Sequence, residues 1–278
     1  MLCHIHGGGY IFDTAHPEGE FSRILKDFLQ NSSGSSIRRT FSVEYRLTSS
    51  PGEPGEGSVF PFPAALLDGL AGYLYLIKLG FPEENIVLVG DSAGANLVLA
   101  LTRYLLSYKE QRPELPKVPG ALVLLSPWAD LTEQFNENPD PQSSLTRNAK
   151  RDWLAPVNGG IVSASAMLFL GGRPEHVDLA YQNPYTSPAS PTLLGLTPDS
   201  PTRTISFKGF PRTFIDSATF ESFYDHIRRL RDAMVEDLGE EVVTYNEVDG
   251  AVHDYMAIDW HDPDRTATSK KILKWLGE

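Results

Sequence analysis

The sequence predicts an α/β architecture in which a mostly parallel sheet is covered by helices on both faces. Short apolar, β-rich runs at residues 2–5, 41–45, 86–89, 121–125, 213–215 and 242–248 alternate with longer segments whose apolar residues recur at helical spacing, residues 21–30, 64–79, 95–108, 223–238 and 269–276. Composition agrees: 278 residues, 41% hydrophobic and 22% charged, are enough for one large core, so a single domain over 1–278 with insertions is expected.

The same bulk properties exclude several functions. A net charge of -12, with basic residues clustered only in pairs such as Arg38-Arg39 and Arg228-Arg229, would be repelled by a phosphate backbone, so nucleic acid is not an expected partner. The longest apolar runs, near 97–106 and 121–125, fall short of the ~20 residues of a membrane span. Cys3 stands alone, which rules out an internal disulfide. Met1 is followed by histidines and glycines instead of a basic region and an apolar stretch, and both features point to the cytoplasm.

Taken in chain order, the first β-run leads into His6-Gly7-Gly8-Gly9-Tyr10. Consecutive glycines let backbone N–H groups approach a substrate oxygen, and a phosphate loop would want a different spacing with a Lys-Ser/Thr pair. Gly8 and Gly9 are therefore candidate oxyanion donors. Residues 48–61 are rich in Gly, Pro and Ser and read as an exposed loop. Next, the run 86–89 meets the helical pattern from Ala95 through Gly90-Asp91-Ser92-Ala93-Gly94. This G-x-S-x-G between strand and helix is a nucleophile elbow: the tight turn strains the central residue, flanking glycines remove colliding Cβ atoms, and the helix N-terminus offers positive dipole and N–H groups. Ser92 is the candidate nucleophile, with the N–H of Ala93 as a third oxyanion donor.

Residues from about 131 to 205 break the alternation; they are Pro-rich, irregular and hold several aromatics, so they read as a lid or a packed surface insertion. A serine nucleophile needs a base. His253 follows the last β-run in a turn that projects from the C-terminal edge of the sheet, and it comes after the serine in the chain; His261 is the second candidate. The carboxylate that orients the imidazole should follow the run 213–215, where Asp216, Glu221 and Asp225 are available. Asp216 is still in the strand and Asp225 is already on the next helix, which leaves Glu221, in the turn, as first choice. Tyr10, Trp128, Trp153 and Phe169 are candidate pocket walls, Tyr10 and Trp128 being assigned to substrate binding.

Together these stretches resemble the hormone-sensitive-lipase-like branch of the α/β-hydrolases: HGGGY at 6–10, EYRL at 44–47, FPAALLD at 62–68, IVLVGDSAGANLVLAL at 86–101, SPWADL at 126–131 and DGAVHDY at 249–255. The resemblance implies an α/β-hydrolase fold with a cap, and a carboxylesterase acting on short to medium acyl esters without metal or organic cofactor. Ser92 and His253 would be nucleophile and base, with Gly8, Gly9 and Ala93 in the oxyanion hole. Where the family commonly has an aspartate, this chain has Glu221, with Asp225 at a second acidic position. Amidase, thioesterase, arylformamidase or peptidase chemistry would use the same residues. Some relatives bind small molecules after losing the histidine, a role that the presence of His253 argues against; an inactive fragment is the remaining alternative. Relatives carry two further strands and part of the cap ahead of the HGGG strand. A chain beginning here would expose a sheet edge and apolar surface, and self-association is expected.

Overall fold

The computed structural model describes residues 1–33, 37–50, 52, 57–136, 138–154 and 160–277. Strands β1 (Leu2–Ile5), β2 (Thr40–Val43), β3 (Val87–Asp91), β4 (Ala121–Leu125), β5 (Thr213–Ala218) and β6 (Val243–Val248) form one sheet in the order β2-β1-β3-β4-β5-β6, parallel throughout. The helices are α1 (Ser22–Asn31), α2 (Ala64–Lys78), α3 (Ala93–Tyr108), α4 (Ser144–Arg147), α5 (Ile161–Phe169), α6 (Val177–Gln182), α7 (Tyr224–Leu238) and α8 (Asp264–Gly277).

β3 and β4 are buried at every position, as a strand covered on both faces must be. Their side chains divide by the pleat: Leu88, Leu122 and Leu124 join Ile215 under α2, α3 and α7, and Val87, Val89 and Val123 join Phe214 under α1 and α8. Cys3 lies in the first of these cores, where burial pushes its thiol up to about 12. Among the described residues no helix is long and apolar enough to cross a membrane.

Boundaries differ from expectation where polar contacts extend an element. β5 runs on to Ala218, past the apolar triplet, with one Asp216 oxygen accepting Asn246 Nδ2 at 2.6 Å inside the sheet. α8 starts at Asp264, ahead of the apolar spacing, in a turn where Arg265 pairs with Asp259 and Asp262. Within the predicted loop 48–61, residues 51 and 53–56 lie outside the described residues; its far end is pinned to α5, with Ser58 Oγ donating to the Leu168 carbonyl at 2.6 Å and Phe62 N to that of Phe169 at 2.8 Å.

From β1 the chain crosses to β2 on one side and then returns past β1 to β3 on the other. Connections diverge there, which opens a crevice at the carboxyl ends of the two strands. The glycine loop after β1 and the elbow after β3 both end in it. Residues 131–205, which carry α4, α5 and α6, lie between β4 and β5 and lend several side chains to that crevice.

Candidate active site

The elbow is strained and well held. Ser92 has φ 50 and ψ -115, its N–H donates to the Leu125 carbonyl at 2.9 Å, and its own carbonyl accepts Asn96 N at 3.2 Å and Trp128 N at 3.0 Å. Gly94 is needed for close approach: a Cβ there would lie 2.0 Å from the Ile5 carbonyl oxygen of β1. The loop after β1 is fastened to the same place. Asp91 accepts Gly7 N at 2.8 Å on one oxygen and lies 2.7 Å from His4 Nε2 on the other, while the Tyr45 hydroxyl sits 2.9 Å from the carbonyls of both His6 and Gly7. Gly8 has φ 87, and a Cβ on it would meet the Phe12 carbonyl at 2.3 Å. Among the described residues the N–H groups of Gly8 and Gly9 have no acceptor, and both glycines border the cavity that Ser92 enters. Ala93 opens α3, so its N–H has no carbonyl one turn back.

The structure brings Ser92, His253 and Glu221 together. His253 Nε2 lies 2.9 Å from Ser92 Oγ, and Nδ1 lies 3.0 Å from Glu221 Oε2. The other Glu221 oxygen accepts Ala218 N at 2.7 Å and Ser217 Oγ at 3.1 Å, so the carboxylate is fixed by the end of its own strand. The other two acids point elsewhere. Asp225 pairs with Arg147 at 2.9 Å and accepts Ser144 N at 2.6 Å, and Asp216 is buried against Asn246, where burial pushes its carboxyl up to about 7. His261 lies beside Tyr255 and Trp260.

Two carboxylates that the sequence did not single out also meet His253, one at its imidazole and one at its backbone N–H. Asp254, buried and at φ 53, places Oδ2 3.2 Å from His253 Nε2. Asp152, from the segment between β4 and β5, accepts Ser222 N at 2.6 Å and His253 N at 3.3 Å; its neighbour Trp153 donates Nε1–H to the His253 carbonyl at 2.7 Å. Asn148 adds donations to the carbonyls of Thr219 at 3.0 Å and Glu221 at 2.9 Å. Asp254 was visible as the neighbour of His253, but the left-handed backbone that turns it inward has no sequence signature. For Asp152, 101 residues from its partner, nothing local gives a signal.

Burial alone would lower the His253 pKa, but the carboxylates of Asp254 and Glu221 outweigh it and hold the imidazole well above its ordinary range. Beside it lies a cavity of about 60 Å³ walled by Phe12, Trp128, Leu154, Val162 and Phe223, with Trp153 at its margin. Tyr10 does not line it: the ring stacks on Phe169 at 3.8 Å and the hydroxyl donates to Asn96 Oδ1 at 2.7 Å, behind the wall.

A parallel sheet whose switch point carries a strand-serine-helix elbow, a glycine loop and a histidine-carboxylate pair is an α/β-hydrolase fold. The family model described as alpha/beta hydrolase fold matches residues 2–257, and the chain belongs to that family, in its hormone-sensitive-lipase-like branch. It is 31% identical over 198 residues to an acetyl-hydrolase of Streptomyces hygroscopicus, covering 71% of this chain and 54% of that protein. Mouse hormone-sensitive lipase is 30% identical over 118 residues, 41% of this chain and 13% of the lipase. The crystal structure of a hormone-sensitive lipase from a metagenome library superposes with a TM-score of 0.71 at 26% identity, covering 99% of this chain and 76% of that one. The chain spans about half the length of the acetyl-hydrolase and of two further bacterial esterases that it matches.

Proposed function

We propose that the chain hydrolyses carboxylic esters of short acyl chains by a two-step acyl transfer. What carries this reading is the unbroken relay from Glu221 through His253 to Ser92, at 3.0 and 2.9 Å, beside two glycine N–H groups that have no other acceptor among the described residues. In the first step Ser92 Oγ attacks the ester carbonyl and passes its proton to His253 Nε2. The N–H groups of Gly8, Gly9 and Ala93 stabilise the oxyanion, each worth about 10²–10³ in rate. Glu221 holds the imidazole in its working orientation and stabilises the imidazolium. That proton leaves with the alcohol; a water deprotonated by His253 then attacks the acyl-serine, releases the acid and restores Ser92.

The cavity of about 60 Å³ has room for a few waters or a short acyl group, which favours acetyl-sized chains over long ones, and an acetyl-hydrolase stands among the relatives. Residues 131–205 serve in this reading as a cap, since Trp153, Leu154 and Val162 line the cavity. The test is turnover of p-nitrophenyl acetate, butyrate and laurate by the protein and by Ser92→Ala. Activity should fall with acyl length and vanish in the variant; turnover that persists in Ser92→Ala would move the nucleophile elsewhere, and a preference for laurate would overturn the acyl assignment.

A further inference from the structure

Asp254 shares the edge of the imidazole that faces the nucleophile. Its residue is 2% exposed, its N–H donates to Ser126 Oγ at 3.2 Å, and its backbone adopts φ 53, a conformation aspartate tolerates better than most residues. Oδ2 lies 3.2 Å from His253 Nε2, the atom that also meets Ser92 Oγ at 2.9 Å, while Oδ1 is buried without a hydrogen-bond partner.

Counting protons on this edge decides what the contact means. With the Nδ1–H donated to Glu221, a neutral imidazole has only a lone pair at Nε2. That lone pair accepts the Ser92 hydroxyl, but it repels a carboxylate oxygen at hydrogen-bond distance. The contact becomes attractive once the pair holds one more proton, either on Nε2 as an imidazolium or on Asp254 as a carboxylic acid. Resting on the reading of Ser92 and His253 as nucleophile and base, we propose that Asp254 is a further catalytic residue: the resting His253–Asp254 pair stores a proton that must leave before His253 can accept one from Ser92, and the Asp254 carboxylate then stabilises the imidazolium formed during acyl transfer.

The surroundings agree. Glu221, from the turn after β5, occupies Nδ1; Asp152, between β4 and β5, is engaged with the His253 and Ser222 N–H groups; Asp91, on β3, is engaged with His4 and Gly7; the hydroxyls of Ser92 and Ser126 complete the shell. Among the described residues Asp254 forms its ion pair with His253 and with no lysine or arginine, so the imidazole is the cation that can offset it. Burial pushes the Asp254 carboxyl up to about 7, and the carboxylates of Asp254 and Glu221 hold the His253 imidazole well above its ordinary range, so the proton belongs to the pair and not to either residue.

The sign follows. Below the pair's pKa the base is blocked, and activity rises as pH rises through it. Removing the Asp254 carboxylate lowers that pKa, shifting the ascending limb to lower pH by about one unit or more. It also removes a stabiliser of the imidazolium, so the alkaline plateau of kcat/KM should fall roughly tenfold and the profiles should cross. The experiment is kcat/KM against pH for p-nitrophenyl acetate, which reports acylation, with the protein, Asp254→Asn and Asp254→Gly, both tolerant of a positive φ, and with Ser92→Ala. In parallel, the His253 imidazole is followed by NMR, where the imidazolium signal should titrate at lower pH in both Asp254 variants. Coincident limbs and unchanged imidazole titration, with Ser92→Ala inactive, would overturn the role of Asp254 and leave the triad standing. Turnover in Ser92→Ala would fell the triad reading itself, and this inference with it.

Discussion

The two halves of the crevice are held in different ways. The nucleophile half is built from backbone: β1 and β3 lie side by side, Gly94 presses against the Ile5 carbonyl, and Asp91 ties the glycine loop to the strand that leads into Ser92. The base half is built from side chains of remote origin. Glu221 and His253 follow β5 and β6, but the turns bearing them are braced by Asn148, Asp152 and Trp153, from between β4 and β5. Geometry fixed by neighbouring strands is stiff, whereas geometry fixed by an inserted segment depends on that segment being in place. In this protein the segment thus holds the turns of Glu221 and His253 in place as well as walling the cavity.

Substitutions sharpen the contrast, beginning with the largest effect. Ser92→Ala should lower kcat by about 10⁶-fold with little change in thermal stability, since the serine acts together with its base and alanine keeps the Cβ and the backbone hydrogen bonds of the turn. Glu221→Gln should cost about 10⁴-fold by favouring the wrong imidazole tautomer. Asp225→Asn, which breaks a partly exposed pair with Arg147, should leave kcat close to unchanged and cost less than about 1 kcal/mol of stability. Equal losses in the two acid variants, measured by steady-state kinetics, would overturn the choice of Glu221.

Asp152→Asn tests the bracing directly. An amide in place of the carboxylate turns a donor toward one of the two backbone N–H groups it now accepts, letting the His253 turn drift. A displacement of that order costs up to about 10²-fold in kcat, with KM nearly constant. A change in KM alone would make Asp152 a substrate contact and remove the distinction between the halves. The smallest effect lies outside the crevice. Asp216 is pushed up to about 7 by burial, so the folded state favours its protonated form. The stabilisation is complete below the ordinary carboxylate range and is lost as pH rises through about 7. Asp216→Asn should flatten that part of the melting-temperature profile and leave turnover unaffected; a variant with the wild-type slope would assign the titration to another group.

The nucleophile half was the legible one. A G-x-S-x-G between a β-run and a helical pattern states its geometry in consecutive residues, and all six apolar runs coincide with strands of the sheet. His253 and Glu221 could be placed because they follow strands, so their position on the carboxyl edge comes with the topology. Asp152 and Asp254 were not legible: one acts across 101 residues, and the other is turned onto Nε2 by a left-handed backbone that an adjacent Ala-Val-His-Asp-Tyr string does not encode. Tyr10 misled for a related reason. It stands in the glycine-loop motif, yet its ring points into the packing against Phe169.

The proposed mechanism requires a covalent adduct on Ser92, and that adduct can be trapped. After brief incubation with a fluorophosphonate and digestion, mass spectrometry should find the modification on the peptide containing Gly90-Asp91-Ser92-Ala93-Gly94, at Ser92, with no labelling of Ser92→Ala and slow labelling of Glu221→Gln. A folded protein that stays unlabelled, or a label on any other residue, would contradict the account.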